Sequence, residues 1–277
     1  MPTASPTEPT PRFPIEKLFE RIRAVGFPLV GAVDLELAEA EFRKHGERYR
    51  DWISKGYHGE MGYLERGLSR RLDPKLVFPA AKSIVVAAIP YRRAPKTQAE
   101  SDPKYARYLQ GPDYHRRLPE LLTGALKEAG IEGGYKICVD TSAVLERSWA
   151  ALAGRGWIGK NTLLIHPQLG SYLFLATVLL DRETGMKPAP LPNYCGNCSA
   201  CIDGCPTSAI LSPGELDSRR CISYLTLEKR GDWNSVSDET KKKMGTWIAG
   251  CDVCQEVCPY NRKPLRLDET WPTDDRD

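Results

Sequence analysis

The chain has 277 residues, of which 41% are hydrophobic and 27% are charged, and its formal net charge is +3. This length and composition predict a globular protein with one sizeable core and a smaller module. The weak positive charge neither establishes nor excludes a nucleic-acid partner. No apolar run approaches the roughly 18 residues of a membrane span, so we expect none.

The segments before residue 94 differ sharply in composition. Residues 1–13 are rich in proline and threonine and lack the apolar core of an export signal, so we expect a disordered tail. Apolar side chains at helical spacing and β-branched runs predict the elements that follow. These elements are a helix over 14–25, a strand over 29–33, a second helix that ends at about residue 54, and a strand over 83–89.

The middle of the chain predicts a continued alternation of helices and strands. Residues 94–112 are rich in charge and tyrosine and predict a surface loop. After that loop we expect helices over 114–129 and 142–153, and strands over 135–139, 162–165 and 172–180. Strands that alternate with helices indicate an α/β core.

A change of composition near residue 187 predicts a domain boundary. There the proline-rich stretch KPAPLPNY leads into a cysteine-rich segment. We therefore expect an α/β domain over 14–187, a cysteine module over 188–265 and a polar tail over 266–277.

Eight of the nine cysteines form one interlocked pattern. One run reads C-x2-C-x2-C-x3-C-P, and a second run repeats it without its first cysteine, which Cys221 can replace. In two-cluster ferredoxins, three cysteines of such a run hold one [4Fe–4S] cluster and the fourth crosses to the other. The predicted ligands are Cys195, Cys198, Cys201 and Cys258 for the first cluster, and Cys205, Cys221, Cys251 and Cys254 for the second.

Zinc and disulfides are the alternative explanations of this pattern. Two zinc sites could use the C-x2-C pairs, but they rarely need a third cysteine at the same spacing and a fourth before proline. Disulfides are disfavoured because the sequence offers no sign of secretion. The spacing therefore favours electron-transfer clusters.

The segment GRGWIGKN, residues 154–161, resembles two phosphate-binding sequence patterns. Both patterns need a strand before the glycines and a helix after them, so that backbone N–H groups face the phosphate. Here a helix is predicted before the glycines and a strand after them. We therefore interpret the segment as a helix-to-strand turn that brings backbone close to a cofactor.

Asp140 is predicted to follow a core strand and to precede a helix. One interpretation is a helix N-cap, a position that aspartate favours. The other is a functional carboxyl group, because α/β sheets build their sites at the carboxyl ends of strands.

The remaining candidate residues give weaker signals. The four histidines form no metal-ligand pair. His115 lies in a segment like D-x-H-x-x-G, but Leu118 replaces the glycine. We therefore interpret His115 as a surface helix residue. Cys138 lies in an apolar strand and is interpreted as a buried structural thiol. A mixture of aromatic and basic side chains suits phosphate contact and base stacking, and equally suits a solvated surface: Tyr105, Arg107, Tyr108, Tyr114, Arg116 and Arg117.

With these motifs in place, residues 14–262 resemble the epoxyqueuosine reductase family. The resemblance is carried by RRLDPKLVFPAAKSIVVAAIPY, GPDYH, VDTSAVLERSWAALAGRGWIGKNTLLIHPQLGSYLFL, CGNCSACIDGCPTSAI, RCISYLT and GCDVCQEVCPYN. It implies a cobalamin-dependent enzyme with two [4Fe–4S] clusters that reduces the epoxide of epoxyqueuosine in tRNA to queuosine. The implied fold is an α/β cobalamin-binding domain related to reductive dehalogenases, joined to a bacterial-type ferredoxin-like module.

The resemblance also implies roles for individual residues. Asp140 corresponds to the proton donor. The positions expected near cobalamin are Arg71, Asp140, Leu164, Leu175, Ala176, Ser223 and Asp252, and Lys160 and Asn161 are cofactor or substrate contacts. Lys229 and Arg230 are candidates for contact with tRNA phosphates.

Partners and location follow from the same features. We expect an external electron donor of the flavodoxin or ferredoxin type, a cytoplasmic location, no membrane partner, and a monomer. Two alternatives belong to other classes: a dehalogenase-like corrinoid enzyme acting on a small molecule, and a non-catalytic two-cluster electron carrier. Failure to bind cobalamin would favour the carrier.

Overall fold

The computed structural model describes residues 14–91 and 101–262. The predicted disordered tail, part of the predicted surface loop and the predicted polar tail lie outside the described residues. The helices are α1 Ile15–Ala24, α2 Glu39–Ser54, α3 Gly62–Arg66, α4 Leu68–Leu72, α5 Tyr114–Glu128, α6 Glu146–Leu152, α7 Ala200–Asp203, α8 Ile222–Leu227, α9 Asp238–Met244 and α10 Val253–Glu256. The strands are β1 Leu29–Asp34, β2 Ser83–Pro90, β3 Lys104–Tyr105, β4 Tyr135–Cys138, β5 Trp157–Ile158, β6 Leu164–Ile165, β7 Leu173–Leu180, β8 Ile210–Ser212, β9 Glu215–Leu216 and β10 Trp247–Ala249.

A four-stranded sheet in the order β1-β2-β7-β4 forms the centre of the larger part. Every neighbouring pair is antiparallel, with Val85 opposite both Ala32 and Val178. The continuous apolar run of β2 is buried along its whole length, as its composition predicts for a strand covered on both faces. Because the sheet is antiparallel, its site cannot be located by the rule for parallel strands.

Helices cover both faces of this sheet. On one face, α1 and α5 pack together through side chains at helical spacing, among them Leu18, Ile22, Leu118 and Leu122. On the other face, α2 and α6 pack around Trp149, whose ring stacks on Phe42 with centroids 4.1 Å apart. Burying each such side chain stabilises the fold by about 1.5–3 kcal/mol.

Helix α6 begins at Glu146, later than the residue 142 that the sequence predicts. The backbone at Asp140 has φ 46°, in the left-handed region, which ends β4 and does not continue into a right-handed helix. The N-cap residue of α6 is Leu145. The interpretation of Asp140 as a helix N-cap is therefore wrong, and its carboxyl group lies in the loop before α6.

The cysteine module is built from short elements and packs on the larger part. Strand β10 pairs with β3 in parallel, Trp52 Nε1 of α2 donates to Leu216 O at 2.6 Å, and Ser171 N donates to Asn261 Oδ1 at 2.8 Å. Among the described residues, no helix has both the length and the apolar character needed to cross a membrane.

Candidate functional site

A cavity of about 280 Å³ is lined by residues of both parts of the chain. Four cysteines line it: Cys205, Cys221, Cys251 and Cys254. From the larger part it receives Tyr91, Tyr108, Arg147, Asn161, Thr162 and Leu163. The structure thus brings together all four thiols predicted to ligate the second cluster, against side chains of the sheet domain.

The other four cysteines form a neighbouring group. Burial raises the pKa of the Cys201 thiol, and the nearby Cys195, Cys258 and Cys198 thiols raise it further. Cys195 and Cys258 pack in one apolar cluster with Trp157 and Ile165. The structure therefore brings together the set that the spacing assigns to the first cluster.

The two groups are adjacent. Burial raises the pKa of Cys254 well above its ordinary value, and Cys201 of the first group adds to the effect of Cys221, Cys251 and Cys205. Cys198 is exposed. Neutral thiols in these positions need a cationic partner before they can ionise, and iron supplies one.

Each of the two cysteine groups supplies four thiols. Within residues 14–91 and 101–262, no three carboxylate, imidazole or thiol groups lie close enough to hold one metal ion. A tetrahedral zinc site needs all its thiolates at about 2.3 Å from a common centre. Four soft donors in each group match the ligand number of a [4Fe–4S] cluster.

Asp140 belongs to a chain of three polar side chains. Its Oδ2 lies 3.0 Å from His115 Nε2, and His115 Nδ1 lies 2.8 Å from Asp113 Oδ1. Partial burial alone would lower the pKa of His115, but the hydrogen bonds from Asp140 and Asp113 outweigh it and raise that pKa above 6.5. The imidazole thus lies between two carboxyl groups and contacts both, a role that the surface interpretation of His115 did not include.

Glu146 and Arg71 contribute further charge near Asp140. Burial raises the pKa of Glu146 to about 8, and the charges of Asp140 and Arg71 both act on it. In the part of the chain that the structure describes, Glu146 Oε1 has no hydrogen-bond partner. Arg71 is buried, and its Nη1 donates to Tyr63 O at 3.5 Å. An unpartnered buried carboxyl oxygen beside the site fits a polar group of a bound cofactor or substrate.

Three of the residues that the resemblance assigns to cobalamin line the cavity: Asn161, Ser223 and Asp252. Asn161 Nδ2 donates to Cys254 O at 3.4 Å, which ties it to the second cysteine group. Asp252 is 1% exposed and accepts a hydrogen bond of 2.7 Å from Arg107 N. Burial raises its pKa to about 6.

Other predicted cofactor contacts lie in the core instead. Leu164 is 3% exposed and Ala176 has no exposed surface, and each packs in one of the two clusters that cover the sheet. Leu175 is partly buried against the cluster that contains Leu164. The side chains of Leu164 and Ala176 have almost no exposed surface, and their assignment to the surroundings of cobalamin stays a prediction.

Lys160, Lys229 and Arg230, which were predicted as contacts, have protein partners. Lys160 Nζ donates to Gly196 O and Cys198 O, in the loop of the first cysteine group and outside the cavity. Lys229 Nζ donates to Glu60 Oε1 at 3.0 Å and is 10% exposed, while Arg230 N donates to Glu60 Oε2. The Lys160 side chain therefore binds the cysteine loop, and its assignment as a cofactor or substrate contact stays a prediction.

The glycines of GRGWIGKN are explained by packing. Gly154 has φ 71° and Gly156 has φ 149°, and a Cβ atom on either would approach the carbonyl oxygen of Ala189 or Ile165 to about 2.6 or 2.5 Å. The turn joins α6 to the β5–β6 hairpin. The segment runs from a helix into a strand, so it lacks the strand-to-helix order that both phosphate-binding patterns require.

Comparison with known proteins identifies the family. A family model described as a 4Fe-4S double cluster binding domain matches residues 194–261, and one described as epoxyqueuosine reductase QueG, DUF1730 matches residues 71–141. The epoxyqueuosine reductase of Leadbetterella byssophila is 38% identical over 257 residues, which cover 90% of this chain and 81% of that protein. The chain belongs to the epoxyqueuosine reductase family.

Further members of the family support this identification. The epoxyqueuosine reductase of Cyclobacterium marinum is 38% identical and is matched over 85% of this chain and 77% of its own length. A crystal structure of epoxyqueuosine reductase with an epoxyqueuosine-modified tRNA-Tyr stem loop is 31% identical, with a TM-score of 0.78 over 94% of this chain and 68% of that one. Family membership and the double-cluster match confirm the predicted fold class, the oxidoreductase class and the two [4Fe–4S] clusters.

Proposed function

We propose that this epoxyqueuosine reductase family member reduces the epoxide of epoxyqueuosine in tRNA to the alkene of queuosine. One observation carries the proposal: the cavity lined by four cysteines also receives polar side chains of the sheet domain, and a carboxyl–imidazole pair lies beside it. The solved relative with a modified tRNA stem loop supports the same substrate.

The reaction needs two electrons and two protons, and it releases the epoxide oxygen as water. Asp140 donates a proton to that oxygen as the C–O bond opens, because an uncompensated alkoxide is a poor product. His115 orients the Asp140 carboxyl through the 3.0 Å contact. Asp113 fixes the imidazole from its other nitrogen.

The residues of the cavity fit cobalamin as the second cofactor. Cobalamin carries amide groups at its rim, and Arg147, Asn161 and Ser223 offer hydrogen-bonding groups along the wall opposite or beside the cysteines. When bound, cobalamin supplies a strongly nucleophilic reduced cobalt. Near Asp140, Arg71 supplies a buried positive charge, and Glu146, whose pKa burial raises to about 8, supplies a carboxyl group that favours its neutral form near pH 7.

The tRNA backbone is held outside the cavity by basic side chains. A groove of about 560 Å³ is lined by Arg219, Arg220, Lys229 and Lys243, among others. Because Glu60 pairs with Lys229, the exposed side chain of Arg230 is the stronger of the two predicted phosphate contacts. We further infer an external protein electron donor, a monomer, and action in the cytoplasm, where tRNA is modified.

Anaerobic turnover tests this proposal. Reconstituted protein is incubated with epoxyqueuosine-containing tRNA, with and without cobalamin, and the nucleosides are analysed by mass spectrometry. Loss of one oxygen that requires cobalamin is the expected result. No conversion by protein that holds both clusters and cobalamin would favour a dehalogenase-like enzyme for small molecules. Failure to bind cobalamin would favour an electron carrier.

A further inference from the structure

The GRGWIGKN turn of the larger part reaches the loop of the first cysteine group. Trp157 lies in β5, and its indole Nε1 donates to Cys195 Sγ at 3.4 Å. Two residues after β5, Lys160 Nζ donates to Gly196 O at 2.7 Å and to Cys198 O at 2.8 Å. A segment outside the cysteine module therefore supplies one N–H and one positive charge to the first cluster's loop.

Aromatic packing fixes the direction of the indole. Trp157 is 3% exposed, and its ring lies edge-on to the rings of Tyr194 and Tyr260, with centroids 5.2 and 4.8 Å away. Tyr260 OH donates to Tyr194 O at 3.1 Å and closes this cluster. Because the ring is wedged between the two tyrosines, its N–H remains directed at the Cys195 sulfur.

The carbonyl contacts fix the ammonium of Lys160 in the same way. Two backbone carbonyls of one loop accept from Nζ, so the charge is held beside the loop that carries Cys195 and Cys198. The sheet domain thus contacts the first cysteine group, which does not line the cavity, as well as the second group, which does. The packing accounts for the glycines of the turn but does not explain why a tryptophan N–H and a lysine charge point at this loop.

We propose that Trp157 and Lys160 are positioning residues that raise the reduction potential of the first cluster. The external donor loses one electron as [4Fe–4S]²⁺ becomes [4Fe–4S]⁺, so the cluster and its thiolates gain one negative charge. An N–H bond to a ligand sulfur and a nearby ammonium both stabilise that charge. The proposal rests on the two-cluster module and is independent of the RNA substrate.

Redox titration followed by EPR tests the proposal on reconstituted protein without tRNA. Lys160→Met and Trp157→Phe are each expected to make the potential of one cluster more negative and to leave the other unchanged. Lys160→Arg keeps the charge and is expected to retain most of the wild-type potential. The matched control is Lys127→Met, which removes the same charge from the last turn of α5 and is expected to change neither potential.

The outcomes separate tuning from a merely structural role. Unchanged potentials in Lys160→Met and Trp157→Phe, at full iron content, would overturn the proposal. Selective loss of the first cluster in Lys160→Met, with the second cluster's EPR signal intact, would show that Lys160 holds the loop instead of tuning the potential, and would overturn the proposal for this residue. If Lys160→Met fails to fold, the potential of Trp157→Phe alone tests the proposal. This variant keeps an aromatic ring and loses only the N–H group that donates to Cys195 Sγ.

Discussion

At the scale of single residues, Asp140 is both exposed and partnered. Its side chain is 56% exposed and pairs with His115, so removing it leaves the core intact. We expect Asp140→Ala to keep both clusters and bound cobalamin and to lose about 10²-fold or more of turnover, since general acid catalysis contributes about 10²–10⁴. Nucleoside mass analysis measures the rate. Wild-type turnover in this variant would show that another group donates the proton.

The titration of His115 reports directly on the same contact. Its raised pKa means that the charged imidazole favours the folded state below pH 6.5, and that this contribution is lost as pH rises through the raised pKa. We expect Asp140→Asn to lower the pKa of His115, because a charged hydrogen-bond partner is removed. NMR titration of the imidazole measures it, with Asp217→Asn as a distant control. An unchanged pKa in Asp140→Asn would mean that the contact is absent in solution.

The residue scale also shows what the sequence could not predict. Asp140 could be identified as a candidate because it follows a strand and belongs to the VDT segment. Its pairing with His115, 25 positions away, depends on the left-handed backbone at Asp140 and on where α5 begins. No local pattern encodes that contact, whereas the interpretation of His115 as a surface helix residue is confirmed, because it lies in α5 with its side chain 41% exposed.

At the scale of elements, the turn between α6 and β6 is constrained by its glycines. In Gly156→Ala, the added Cβ would lie 2.5 Å from Ile165 O at a φ of 149°. Backbone strain of this kind costs about 1–3 kcal/mol. We expect a melting temperature lower by several degrees, since 1 kcal/mol corresponds to about 2–4 °C in a chain of roughly this size.

A matched glycine in α5 provides the control. A Cβ on Gly124 would meet nothing within 4 Å, and alanine is about 0.8–1.0 kcal/mol more favourable than glycine in a helix. Gly124→Ala should therefore raise the melting temperature slightly. Calorimetry on both reconstituted variants measures the difference, and equal shifts would contradict the packing account of Gly156.

The elements of the sheet domain with a clear apolar pattern were predicted well, including the short strands β1 and β4, whereas the short elements of the cysteine module were not predicted. The spans of α1, α5, β2 and β7 agree with the sequence prediction within one or two residues, because each has a clear apolar period or run. Strand direction was not encoded in that pattern, and the sheet proved antiparallel. The cysteine module holds elements of two to seven residues, whose positions depend on tertiary contacts.

At the scale of the whole molecule, the two cysteine groups lie in an order that suggests a direction of electron flow. The first group includes the exposed Cys198, while the second lines the cavity that also receives Tyr108 and Arg147. Cys201 and Cys254 are close enough for the charge on one to affect the other. The chain spacing predicted the two ligand sets, and the packing of the module on the sheet domain adds that Cys198 of the first set is exposed and that the second set lines the cavity.

This order predicts different defects for the two groups. Cys198→Ser should slow reduction by a protein donor and leave the second group reducible by dithionite, because a small reductant does not need the surface cluster. Cys254→Ser should instead abolish the EPR signal of the second cluster while reduction of the first by the protein donor continues. EPR after each reductant, with iron content as a check on loading, measures both effects. If Cys198→Ser accepted electrons from the protein donor at the wild-type rate, entry through the exposed group would be wrong.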